Sequence, residues 1–328
     1  MKNRQISGLF LSELKKGAFK PIVDFVRTDP SLDLEMRGNS VIIYYRGGKI
    51  LSIQDPQKTI SPTINADSFL KALDSKYLNC KAGVLYKEPL PLSIISIESY
   101  FAKAKHIIDR YEETVKHKLG EKEIQQRVVS ENNYSVNSDQ SDFFIADMEW
   151  EDNSALKGRA DIIAFYWGHM NHRQKKLKMF VIEVKQGHNA IKTNKPNTNK
   201  ESPGLLKHFH DFEVFKRNTE AVSFTKSDML KVLCQKTELG LVLGLDSLFK
   251  RMEDGRLSTD GIEIEKDVEF VFLLANYLHF SDQLKNELTY LDDKCKFFCS
   301  CFMGYGLYID FIIEKKTIFN YPKIFKNN

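Results

Sequence analysis

The run Phe180-Val181-Ile182-Glu183-Val184-Lys185 is almost continuously apolar, yet it carries a carboxylate and an ammonium two positions apart. A stretch this rich in β-branched residues reads as a buried strand. Side chains alternate along a strand, so Glu183 and Lys185 share one face while Ile182 and Val184 share the other. Burying two charges is unfavourable unless they are paired or put to use. Twenty-two residues before Glu183, the segment Gly158-Arg159-Ala160-Asp161-Ile162-Ile163-Ala164-Phe165 opens a second apolar strand with a carboxylate near its start.

Around these two runs the periodicity changes in a regular order. Phe101, Ala104, Ile108, Tyr111, Val115 and Leu119 recur every three or four residues and predict a long helix over 98–119. Gly120 ends it, and a short helix follows over 121–129. Strands are expected at 143–150, 160–167 and 178–185, then helices at 205–217 and 227–239. An apolar strand or buried helix start is expected at 268–277, a helix at 282–291 and one or two late strands within 296–313.

The first hundred residues form a different pattern. Three- and four-residue spacing predicts one helix over 7–27, and Leu32–Met36 alternates apolar and charged residues. Val41–Tyr45 and Lys49–Ile53, joined at Arg46-Gly47-Gly48, read as a hairpin. A further helix is expected over 67–78. Pro89 and Pro91 mark a boundary, giving a small N-terminal α/β module over 1–95 and a larger domain over 96–328.

With 328 residues, 42% apolar and 28% charged, the chain is composed like a globular protein. No run approaches the roughly 18 apolar residues of a membrane span, and Ser12 and Glu13 interrupt the first apolar stretch, unlike a secretory signal. A cytoplasmic address with no membrane partner is expected. Five scattered cysteines imply no disulfide framework, and Cys295, Cys299 and Cys301 read as core thiols of a strand. Net charge is only +4, but residues 172–207 hold nine Lys and Arg against two Glu. That local excess would attract a polyanion, although a solvated lysine-rich loop would look the same.

If the two charged strands are neighbours, about 4.8 Å apart, Asp161 comes within reach of Glu183. The pair of carboxylates then suits Mg²⁺ or Mn²⁺, with Lys185 beside a bound water. These residues resemble the PD-(D/E)XK nuclease superfamily, over roughly 98–225. Asp161 looks like its motif aspartate, Glu183 its variable acid and Lys185 its lysine; Ala160 stands where the motif proline would be. The resemblance implies a restriction-endonuclease-like α/β (α+β) fold, with a mixed central sheet flanked by helices, and metal-dependent cleavage of nucleic acid.

It also implies a glutamate on the helix before the first core strand. Glu123 or Glu121 fits that position, and Glu123 is preferred because Arg127 lies one turn on. The expected catalytic set is Asp161, Glu183, Lys185 and Glu123, with Asp161, Glu183 and the Val184 main-chain carbonyl on the metal. Arg173, Lys175, Lys176, Lys178, Gln186, Lys192, Lys195, Lys207 and His208 are the expected nucleic-acid contacts. His208 and Asp211 share a helix face, where an ordinary hydrogen-bonded histidine is the competing reading. Asp147 and Glu149 read either as a further acidic contribution or as solvated edge-strand residues. DNA is the expected substrate, in DNA processing or phage defence, and the alternatives are an inactive nuclease-fold binding module or an RNA-cleaving enzyme. The N-terminal module is a candidate for dimerisation or for docking a protein partner.

Overall fold

The computed structural model describes residues 3–58, 70–71, 97–111, 120–134, 141–151, 159–168, 175–191, 204–275, 282–299 and 305–318. Among them lie seven α-helices and sheets of four, six and two strands, a mixed α/β architecture. None of the described helices is long and apolar enough to cross a membrane. By its contacts the chain divides into two units, one of residues 2–139 and 228–260, the other of 140–227 and 261–328. This differs from the boundary near residue 95 that the prolines suggested.

In the N-terminal unit the expected single helix is two. Helix α1 (Gly8–Lys16) starts where Ser7 Oγ accepts the Phe10 amide at 3.1 Å. It stops at Gly17, where the chain folds back so tightly that a Cβ would fall 2.7 Å from the Cα of Glu13. Helix α2 (Lys20–Thr28) restarts with Pro21 in its first turn, a position that needs no amide donor. Strands β1 (Leu32–Met36), β2 (Ser40–Tyr45), β3 (Gly48–Gln54) and β4 (Leu70–Lys71) then form an antiparallel meander. Residues 70 and 71 thus belong to a strand where a helix was expected, and the rest of 67–78 lies outside the described residues. The β2–β3 turn is Arg46-Gly47, both left-handed with φ 48° and 71°, as a two-residue hairpin requires.

Helices α3 (Ile97–Tyr111) and α4 (Glu121–Asn133) belong to this unit. Phe101 stacks on Phe25 at 4.9 Å, and the Tyr100 hydroxyl donates to the Ile50 carbonyl at 2.6 Å. On α4, Gln126 accepts the Gly47 amide at 2.7 Å and donates to the carbonyls of Ser31 and Tyr44. A side chain at Gly47 would meet the Lys122 main chain at 2.6 Å, so only glycine permits this approach. All five residues of β1 are buried. Its inward carboxylates are matched: Glu35 receives Lys236 Nζ at 2.7 Å, and Asp33 accepts the Tyr134 hydroxyl at 3.0 Å. Burial, reinforced by Asp33 and Glu35, holds the Tyr134 phenol well above its ordinary pKa.

The second unit is built on one mixed sheet. Of strands β5 (Phe143–Glu151), β6 (Arg159–Tyr166) and β7 (Lys176–Gln186), the middle one, β6, runs antiparallel to both its neighbours. Helices α5 (Leu205–Arg217) and α6 (Thr219–Glu238) follow. The division between units falls inside α6. From Asp228 onward it belongs to the N-terminal unit, where Asp228 accepts the amides of Arg4 and Gln5 and Gln235 exchanges two hydrogen bonds with Ile6. A small hairpin of β8 (Lys250–Arg251) and β9 (Leu257–Ser258) completes that unit.

The chain then supplies β10 (Glu263–Ala275), helix α7 (Asp282–Leu288), β11 (Lys296–Cys299) and β12 (Ile313–Glu314) to the large sheet, whose order is β12-β11-β10-β7-β6-β5. Strand β10 is parallel to both β7 and β11, while β12 is antiparallel to β11. The core strand β7 is thereby covered on both edges, which is why its sequence is so apolar. Cys295 is buried, and burial, with Asp292 adding to it, pushes its thiol up to about 12, in keeping with a core thiol. Residue 301 lies outside the described residues.

Candidate active site

Asp161 sits near the start of β6, and Glu183 and Lys185 near the end of β7. The antiparallel register Ile162↔Ile182, continued by one residue, sets Asp161 opposite Glu183. Directly opposed residues of an antiparallel pair lie on the same face. At this point the Asp161 side chain enters the ladder: its Oδ2 accepts the Val184 amide at 2.8 Å. A strand residue directs its N–H and C=O toward the same neighbour, so the Val184 carbonyl also faces β6. The three charged residues are only 3%, 4% and 4% exposed.

Burial forces these charges to find partners. Lys185 Nζ donates to Glu183 Oε1 at 2.7 Å. Helix α5 adds a residue that the spacing on β7 could not reveal. His208 Nδ1 lies 3.0 Å from the same Glu183 oxygen, and His208 Nε2 lies 3.1 Å from Lys185 Nζ. The ring arrives there because α5 packs over this face: Phe212, one turn further on, stacks on Phe270 at 4.7 Å, and Phe270 is the β10 neighbour of Val181. Val181, Glu183 and Lys185 occupy alternate positions of β7, so one helix face covers the apolar and the charged part together.

Strand β5 brings a further acid beside Asp161. The register Met148↔Ile162 and Trp150↔Ala160 puts Glu149 opposite Asp161, on the side away from Glu183. Glu149 has φ 55°, uncommon for a residue with a side chain, and it follows a register shift between Ile145 and Asp147. Asp147 and Glu149 are both buried. The solvated-edge explanation for them therefore fails: β5 is an edge strand, but its surface is covered.

The expected nucleic-acid contacts separate into groups. Lys176 and Lys178 lie at the opposite end of β7 from Glu183, roughly 20 Å away at about 3.3 Å per residue. There they face acids of β10: Lys178 donates to Glu269 at 2.7 Å, and Lys176 stands 3.8 Å from Glu263. They are cross-strand ion pairs rather than neighbours of the Asp161 site. Lys175 precedes the strand with φ 47°. Gln186 ends β7 opposite Ala275, and Lys207 pairs with Asp211 at 3.0 Å. Asp211 is thus turned to a lysine rather than to the His208 cluster. Arg173, Lys192 and Lys195 lie outside the described residues.

Glu123 is in the N-terminal unit, on α4. Its Oε1 lies 3.3 Å from Arg46 Nε and 3.1 Å from Arg127 NH2. Arg46 also bonds Asp109, which receives the Tyr45 hydroxyl as well. Burial and Asp109 push that phenol up to about 12. Tyr45, Arg46, Glu123 and Arg127 line a cleft of about 360 Å³ together with Ser31 and Ser130.

Among the described residues no three His, Cys, Asp or Glu side chains are placed to hold a metal by themselves. The donors along the β6–β7 ends are two carboxylates and a carbonyl. That hard, oxygen-only set fits Mg²⁺ or Mn²⁺, ions that keep several waters, better than a softer metal that takes nitrogen or sulfur. No family model, curated protein or solved structure matches the chain.

Proposed function

We propose that the chain is a metal-dependent nuclease of the PD-(D/E)XK type that hydrolyses phosphodiester bonds of DNA in the cytoplasm. The observation that carries this reading is the convergence at the ends of β6 and β7. A carboxylate is hydrogen-bonded to the amide of Val184, between a buried glutamate and a buried lysine on the adjoining strand. A structural ion pair would need only the last two.

Asp161 and Glu183, with the Val184 carbonyl, would hold the ion, which when bound supplies Lewis acidity and a water of lowered pKa. Lys185 stabilises the negative charge that develops on the phosphoryl oxygens, and burial strengthens that interaction by excluding water. Asp161 has a second task, since its bond to the Val184 amide fixes the spacing of the two strands where the donors lie. Glu123, which the resemblance adds to this set, lies on α4 of the N-terminal unit, engaged by Arg46 and Arg127.

Purified protein with Mg²⁺ should nick or linearise plasmid DNA. Asp161→Asn and Glu183→Ala should each lower the rate at least about 100-fold, and Lys185→Ala by a similar factor. Unchanged cleavage by Glu183→Ala would refute the assignment. One observation favours a non-catalytic module instead: Glu183 is already paired with Lys185 and His208. That reading predicts DNA binding that weakens steeply with salt and yields no product in any metal. Matched RNA in the same assay tests the sugar preference.

A further inference from the structure

We infer that His208 is a positioning residue: its Nε2 holds the Lys185 ammonium in place when Glu183 turns to a cation. The inference rests on the proposed site and concerns a residue that the sequence assigns to substrate contact.

Among the described residues Lys185 Nζ has two polar partners, Glu183 Oε1 at 2.7 Å and His208 Nε2 at 3.1 Å. Its side chain is 5% exposed, so bulk water has little access to it. An ammonium has three donors and no acceptor capacity, and it needs acceptors wherever it is buried. A cation drawn to Glu183, even through its second oxygen, competes with Lys185 for the charge of that carboxylate. As the carboxylate is drawn to a metal, the lysine loses negative charge on its near side. The imidazole nitrogen is then the acceptor that remains, 3.1 Å away and fixed to a rigid helix by the stack of Phe212 on Phe270.

The other ring nitrogen reports the same arrangement. Nδ1 faces the oxygen that Lys185 uses, so the ring edge spans the pair. With its proton on Nδ1, a neutral imidazole presents a donor toward the carboxylate and a lone pair toward the ammonium. The two nitrogens of one ring point away from each other, so both contacts are bent while the ring serves both. Release of the carboxylate lets the ring straighten onto the lysine. His208 thus provides continuity: Lys185 keeps its aim while Glu183 changes partner.

Substitution can separate this role from a phosphate contact and from simple packing. Glutamine places an oxygen near the position of Nε2 and can accept from Lys185, whereas leucine fills space without an acceptor. Single-turnover cleavage of a labelled duplex, the duplex dissociation constant and the Lys185 Nζ resonance in ¹⁵N-labelled protein with and without Mg²⁺ should be measured for wild type, His208→Leu and His208→Gln. Thermal unfolding of each variant checks folding.

Leucine is expected to slow single-turnover cleavage by about 10- to 100-fold with DNA affinity within twofold, and to abolish the protected Nζ signal once Mg²⁺ is added. Glutamine should restore the signal and bring the rate to within about fivefold of wild type. A leucine variant with a persistent Nζ signal, a glutamine variant as slow as leucine, or a loss confined to DNA affinity would each overturn the inference. If wild type shows no metal-dependent cleavage, the nuclease reading fails. The Nζ signal still decides the role of His208, because it does not depend on turnover.

Discussion

Lys236 and Glu35 show how much one buried contact can hold. Both side chains are fully buried, and their 2.7 Å contact joins residues 201 positions apart. Removing one partner deprives the other buried charge of its nearest counter-charge, so Lys236→Ala should lower the stability of the N-terminal unit by about 3–5 kcal/mol. Replacing both by apolar residues of similar volume should recover most of that loss. Urea titration of the two variants and the wild type measures the difference. In the sequence these residues gave no warning. Leu32–Met36 alternates in the way a half-exposed strand does, and alternation cannot tell water from a partner that arrives two hundred residues later. The same holds at the candidate site. Asp161, Glu183 and Lys185 were legible because charge inside an apolar strand is unfavourable, whereas His208 looked like any helix histidine. Only the packing of α5 turns it toward Glu183.

Between elements, Glu269 of β10 shows how charge fastens neighbouring strands. It accepts from Lys178 of β7 at 2.7 Å and from Lys296 of β11 at 2.8 Å, bridging the three parallel strands. Burial alone would raise its pKa, but the two lysines outweigh it and hold the carboxyl below its usual 4.5. A group depressed in the folded state contributes stability above its unfolded pKa and loses it as pH falls through the folded value. The bridge should therefore contribute fully above about pH 4.5 and lose its contribution as the pH falls from there through the lower folded value. Glu269→Gln should cost about 1–2 kcal/mol at pH 7 and flatten the acid limb of a pH–stability profile followed by circular dichroism. An acid limb identical to wild type would contradict this. Strands β2, β3 and β5–β7 were legible because β-branched and aromatic runs bounded by turns have few alternatives, whereas β4 falls where a helix was expected and β10 where strand and buried helix were both open. Helix α1 was misjudged because the apolar spacing continues across Gly17, although the backbone reverses there.

For the whole molecule, the division into units was the least legible feature. Pro89 and Pro91 look like a linker, but α3 and α4 beyond them pack on the sheet and on α2 of the N-terminal unit through Tyr100, Phe101 and Gln126. Punctuation in a sequence marks where regular structure stops; it does not record which elements pack together. A fragment of residues 96–328 would expose the faces of α3 and α4 that cover β3 and α2. It should be recovered mainly as aggregate, and any soluble part should elute with an expanded radius on gel filtration. A monodisperse, cooperatively unfolding 96–328 fragment would show that the helices do not need the sheet.

The return of α6 to the N-terminal unit also sets an order of events on the ribosome. Glu35 and the Arg4–Ile6 segment emerge early, but Lys236, Asp228 and Gln235 are made only after the strands that carry Asp161, Glu183 and Lys185. At translation rates of about 5–20 residues per second, Glu35 waits roughly 10–40 s for its counter-charge, made 201 residues later. The sheet bearing the candidate catalytic groups has its first three strands in hand before that wait is over.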